Sequence, residues 1–205
     1  MARFVSQPLL DRGVDGGRGM ASGGSTFPAA WQIPVDFTVR KGYPGLTKGD
    51  LSVYDADGNL RFRVRTRCFG SSPGRAKTLH DALGNPLITC VHHQGRWQGF
   101  RGNSWEGEDM IFTAHKTADS PFDTELDVFL MTGNWGQPSL AFRLKGSPFQ
   151  RSCTIYKGNS IVAQTNPNYK LRKVVYSRHK FRLTVYPGID HALVVSLLVI
   201  FFGGH

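Results

Sequence analysis

The stretch Asp190-His-Ala-Leu-Val-Val-Ser-Leu-Leu-Val-Ile-Phe-Phe202 is apolar on every side of a helical wheel, apart from Ser196. A helix without a polar face must be buried, either in protein or in lipid. Length separates the two. Thirteen residues at 1.5 Å rise span about 20 Å, against about 30 Å of bilayer hydrocarbon. The stretch is therefore expected to be a core helix over about 190–202. Asp190 is suited to cap its start, and Gly203 to end it.

A core helix needs a wall, and the residues before it supply one. From Pro34 to Tyr186 the chain is a series of short alternating runs divided by Gly, Pro, Asn and Asp. Val35–Arg40, Leu60–Cys68, Leu87–Val91, Met110–Ala114, Leu126–Leu130, Leu140–Leu144, Cys153–Tyr156, Ile161–Ala163, Val174–Tyr176 and Phe181–Tyr186 all read as strands. Ala76–His80 reads as another. Strands at this spacing predict an antiparallel sandwich or barrel. Asp55-Ala-Asp-Gly-Asn59 and Asp81-Ala-Leu-Gly-Asn85 repeat one turn signal, and Lys157-Gly-Asn159 looks like a third. The first is not a calcium loop: Gly58 falls too early, and Thr66 stands where the bidentate Glu is needed. Residues 1–30, rich in Gly with Ser, Asp and Arg, are expected to be a flexible lead. Residues 31–205 would form the single domain.

These residues also carry a resemblance. Pro187-Gly-Ile-Asp-His-Ala192 before the apolar helix and Ser152-Cys-Thr-Ile-Tyr-Lys-Gly-Asn159 resemble the plant LURP-one-related proteins. So do Val35-Asp-Phe-Thr-Val-Arg-Lys41, Tyr54-Asp-Ala-Asp-Gly-Asn59 and Leu126-Asp-Val-Phe-Leu130, and the match runs from about Val35 to Phe202. The resemblance implies a tubby-like closed barrel of about a dozen strands around the C-terminal helix, related in architecture to phospholipid scramblases and tubby proteins. It also implies a membrane-tethered regulator associated with plant defence, and it brings no catalytic residues.

The 205 residues hold 25 Lys and Arg against 15 Asp and Glu, a net charge of +10. That excess points to an anionic partner: acidic lipid headgroups, nucleic acid or an acidic protein. Three cysteines, Cys68, Cys90 and Cys153, lack paired spacing, so reduced thiols in an intracellular protein are expected. The first ten residues lack a signal-peptide run, and Ala2 excludes N-myristoylation. The cytoplasm, a peripheral membrane position or the nucleus fits these features.

Enzymatic motifs fail on mechanism. Gly70-Ser-Ser-Pro-Gly74 has the form of a nucleophile elbow, but Pro73 has no N–H for an oxyanion hole. The residues after it read as a strand, where the elbow requires a helix. Cys90, His92 and His93 lack a second ligand pair, so no metal and no cofactor are expected.

Charge placement is the informative feature. Arg61, Arg63, Arg65 and Arg67 share one parity of their strand, opposite Leu60, Phe62, Val64 and Cys68. Side chains alternate across a strand, so these arginines should face outward. Lys170, Arg172, Lys173, Arg178, Lys180 and Arg182 form a second basic group, and neither 60–77 nor 166–182 contains an acid. A row of like charges is unfavourable for the strand itself, although charged outer faces also protect against aggregation. The expected function is a non-enzymatic, monomeric module that docks anionic phospholipid headgroups through these ten residues. Scramblase-like lipid transport is an alternative that the short helix disfavours. Nucleic-acid binding is another, disfavoured because the aromatics of the basic strands alternate inward, away from a base.

Overall fold

A computed structural model describes residues 33–41, 50–68, 75–120, 122–131, 139–167 and 180–203. The Gly-rich lead and the Val174–Tyr176 run lie outside the described residues. In chain order the strands are β1 (Val35–Lys41), β2 (Leu51–Tyr54), β3 (Leu60–Cys68), β4 (Arg75–Asp81), β5 (Pro86–His93) and β6 (Arg96–Arg101). After a 3₁₀ turn at Gly107–Asp109 come β7 (Met110–Asp119), β8 (Thr124–Leu130), β9 (Ser139–Ser147), β10 (Ser152–Lys157), β11 (Ser160–Pro167) and β12 (Lys180–Val185). The helix α1 (His191–Gly203) follows. Each strand pairs antiparallel with its sequence neighbours, and β1 pairs with β12 to close the barrel.

Alternation explains the wall. On β12, Phe181, Leu183 and Val185 are buried while Arg182 is exposed. On β8, Thr124, Leu126 and Val128 point in, and Glu125 and Asp127 point out. The inward residues of the strands form one cluster with α1. Every residue from Val194 to Phe202 is buried, and Leu197 and Val194 expose nothing, as a helix apolar on all sides requires. Each fully buried aliphatic or aromatic side chain contributes about 1.5–3 kcal/mol.

The helix ends are tied. Asp190 Oδ1 accepts the Leu193 N–H at 2.6 Å, the expected cap, and Ser196 Oγ donates to the Leu193 carbonyl at 2.8 Å. The lone hydroxyl in the apolar run is thus satisfied. At the far end the Lys77 ammonium donates to the Gly203 carbonyl. Among the described residues no helix is long and apolar enough to cross a membrane.

The repeated turns are alike to the ångström. Asn59 and Asn85 each donate their N–H to Oδ1 of Asp55 or Asp81 at 2.8 Å. Gly58 and Gly84 take φ of +87° and +93°, which only glycine adopts cheaply. One region departs from simple alternation. Ala76, Thr78 and His80 are as buried as Lys77 and Leu79, so β4 is covered on both faces. Part of the cover of neighbouring β5 comes from the chain beyond β6, where Gly102 N–H bonds the Leu87 carbonyl and Thr89 Oγ1 donates to the Gly102 carbonyl.

Candidate functional site

The β3 row lies where strand parity puts it. Arg61, Arg63 and Arg65 are exposed, while Val64 between them is fully buried. Arg63 stands between Ser52 of β2 and His80 of β4, and Arg65 beside Thr78. No acid stands cross-strand from Arg63 or Arg65, and among the described residues none of the three arginines forms an ion pair, although Arg61 acts electrostatically on Asp55 of the adjoining turn. The Arg67 side chain lies outside the described residues, as do Lys170, Arg172, Lys173 and Arg178.

The opposite wall contrasts with this row. By strand order β9 is diametrically across from β3. There Arg143 binds Asp127 at 2.8 Å and Lys145 binds Glu125 at 2.7 Å, both across the β8–β9 ladder. Lys116 and Asp119 pair within β7. The acids of β7 and β8 are thus matched to cations of their own wall. An open groove of about 650 Å³ runs over β9 and β10, lined by Leu140, Arg143, Lys145, Tyr156 and Asn159 among others. Its two cations are already turned toward Asp127 and Glu125.

The second basic group divides. Arg182 pairs with Asp36 across the β1–β12 seam, where Thr184 also donates to that carboxylate at 2.6 Å. The Arg182 hydrogen bond, against the opposing effect of burial, holds the Asp36 carboxyl below its usual range. Arg182 is therefore engaged in closing the barrel. Lys180 is half-buried beside Arg40.

Sequence reasoning did not identify the basic groups at the mouth around the helix C-terminus. Lys77 is only 6 % exposed and lies over the Trp97 ring at 5.3 Å. Arg151, half-buried at φ +59°, sits 5.8 Å from the Phe202 ring, and burial pushes its guanidinium pKa down. Burial likewise lowers the Lys41 pKa, and the charge of Arg151 adds to that shift. The inward parity of Lys77 was a readable signal; the approach of Arg151 and Lys41 needed the closed barrel.

The residues considered for catalysis have structural settings. Cys90 is fully buried, and burial pushes its thiol pKa up to about 12 even with Lys77 nearby. Cys153 is raised well above its ordinary value for the same reason. Such thiols stay protonated and are poor nucleophiles. His92 is exposed and packs on Trp97, with ring centroids 5.0 Å apart. Among the described residues no cluster of three His, Cys, Asp or Glu could hold a metal. Ser72 lies outside them.

Known proteins share this barrel and its sequence. The family model described as LURP-one-related matches residues 35–202. Protein LURP-one-related 7 of Arabidopsis thaliana is 41 % identical over 175 residues, covering 84 % of this chain and 91 % of that protein. LURP-one-related 15 of the same plant is 36 % identical, over 82 % of this chain and 78 % of its own length. An X-ray structure of an Arabidopsis thaliana protein superposes with a TM-score of 0.61 at 34 % identity, covering 84 % of this chain and 91 % of that one. The chain belongs to the LURP-one-related family.

Proposed function

We propose that the protein is a non-enzymatic binding module that docks the headgroups of anionic phospholipids, a peripheral regulator in which the barrel is a rigid carrier of charge. The observation that carries this reading is the exposed row Arg61, Arg63 and Arg65, which forms no ion pair among the described residues, set against a far wall whose cations are paired. A row of like charges weakens its own strand, so its presence fits a role outside folding. Near an acidic bilayer each basic residue is worth about 1 kcal/mol, so the row adds to the attraction of the other outward cations, and about four to six together give reversible association. The defence association belongs to the same proposal and rests on the family.

Flotation with phosphatidylcholine vesicles, with and without phosphatidylserine or phosphoinositide, tests the reading directly. The protein should float only with the anionic vesicles, and less so as salt rises. Changing Arg61, Arg63 and Arg65 together to Gln should weaken flotation strongly while leaving the thermal melt in place. Wild type that never floats, or that is displaced by duplex DNA and binds it more tightly, overturns lipid docking. The second result would favour a phosphate-backbone binder.

A further inference from the structure

Phe122 and Phe149 are exposed aromatics whose rings touch. They are 67 % and 64 % exposed, yet their rings meet at 5.5 Å between centroids. The two turns that carry them come from neighbouring strands, since Thr124 of β8 pairs with Gly146 of β9. Phe122 therefore precedes, and Phe149 follows, the last paired residues of the same ladder, and both overhang one rim of the barrel. Both turns carry hydrogen bonds. Ser120 Oγ accepts the N–H groups of Phe122 and Asp123, and Thr124 Oγ1 donates to the Ser120 carbonyl at 2.6 Å. On the other turn, Gln150 N–H bonds Ser147 Oγ, and Arg151 N–H bonds the Pro148 carbonyl.

This is the rim at the C-terminal end of α1. Arg151 reaches the Phe202 ring there, and Lys41, Arg96 and Lys180 end or begin their strands at the same level. Its acids are mostly engaged: Asp50 accepts the Thr66 N–H, and Asp119 pairs with Lys116. Asp123 stands beside Phe122. Among the described residues the opposite rim has the reverse sign. Its turns carry Asp55, Asp57, Asp81, Glu106, Glu108 and Asp109, against Arg101 and Lys157. Exposed apolar side chains occur there too, Leu83 and Trp105, but they sit among those acids. An anionic surface attracts one end of this barrel and repels the other.

We infer that the barrel seats end-on on an anionic bilayer, with Phe122 and Phe149 as an apolar wedge entering the headgroup region among the cations of that rim. This rests on the lipid-docking reading and adds an orientation and a depth to it. Two neighbouring exposed aromatics suit an interface that takes apolar rings.

The test uses the full chain, phosphatidylcholine vesicles with or without phosphatidylserine, and two variants. Phe122→Ser with Phe149→Ser should keep its melting temperature, because both rings are mostly in water. Its affinity for the anionic vesicles should fall by about tenfold or more, the loss expected when two buried rings are withdrawn from an interface. Phe149→Trp should retain flotation, and its added fluorescence should shift to the blue and be quenched by lipids brominated near the headgroup. Wild type that ignores anionic vesicles defeats the lipid reading itself. Wild type that floats, with a double-Ser variant floating equally and the introduced indole unquenched, overturns the wedge alone. A double-Ser variant that turns a sedimenting dimer into a monomer, with lipid binding unchanged, also overturns it and assigns the pair to a contact between copies.

Discussion

The Lys77 ammonium lies 2.9 Å from the Gly203 carbonyl oxygen, joining the inner face of β4 to the last turn of α1. The carbonyls at a helix C-terminus have no partner within the helix and carry its negative dipole end. Gly203 is only half-buried at the barrel mouth, and the buried Lys77 cation answers both needs at once. A Cβ on Gly203 would overlap Lys77 Nζ, so a side chain there would push the ammonium off the carbonyl.

Lys77→Met keeps an unbranched side chain in place but takes the ammonium away from both the Trp97 ring and that carbonyl. Unfolding in urea should report a loss of about 2 kcal/mol. Gly203→Ala should cost a similar amount by displacing the ammonium. Made together, the two changes should cost clearly less than their sum, because they break the same bond. Additive losses would show that the bond is not what links the strand to the helix.

Gly99 meets Phe112 in a comparable way on the β6–β7 ladder. A Cβ at position 99 would overlap the Phe112 ring, which is fully buried. Gly99→Ala should therefore destabilise by about 1–3 kcal/mol, the cost of overpacking. Phe112→Leu in the same chain should recover part of it. Thermal melts of the two single variants and the double measure the coupling.

That contact also explains what can and cannot be read from sequence alone. Leu60–Cys68 alternates without a break, and its strand has the expected ends. The two Asp-x-x-Gly-Asn turns are legible because Asp, Gly and Asn each have a fixed local task. Arg96-Trp-Gln-Gly-Phe-Arg101 does not read as a strand, since Gly99 interrupts the pattern for a reason that lies on another strand. Leu51–Tyr54 escapes notice because four residues are too short for periodicity to register. The outward row on β3 follows from parity alone. The rim with Phe122, Phe149 and Arg151 does not, because it gathers turns far apart in sequence and exists only once the barrel closes.

His191 opens the helix and packs its ring on Phe37, with centroids 5.3 Å apart. Burial lowers its pKa below the ordinary 6.5, Arg61 adds to that, and Asp190 opposes it. The unfolded chain therefore binds a proton that the folded chain refuses. Stability is complete above about pH 6.5, declines as the pH falls, and levels off below the folded-state pKa. Melts at neutral and mildly acidic pH should show this decline, and His191→Phe should remove that part of it. A histidine proton titrating above 6.5 by NMR would reverse the sign and defeat the assignment.

The last prediction concerns which arginines of the β3 row face the lipid. Arg61 begins the strand next to the Asp55–Asn59 turn, whereas Arg65 stands opposite Thr78, toward the Lys77 end. Four residues of strand cover about 13 Å. With the usual tilt of barrel strands this becomes about 10 Å along the axis. That is one Debye length at about 0.1 M salt. If the barrel seats on its basic rim, Arg65 feels the bilayer while Arg61 is largely screened. Arg65→Gln should then weaken binding to phosphatidylserine vesicles about fivefold, the equivalent of about 1 kcal/mol. Arg61→Gln should change it by less than about twofold under the same conditions, and the gap should narrow as salt is lowered and the screening length grows. Vesicle sedimentation of the two single variants across a salt series makes the comparison. Equal losses would mean that the barrel lies on its side along β3, and no loss from either would remove this strand from the interface.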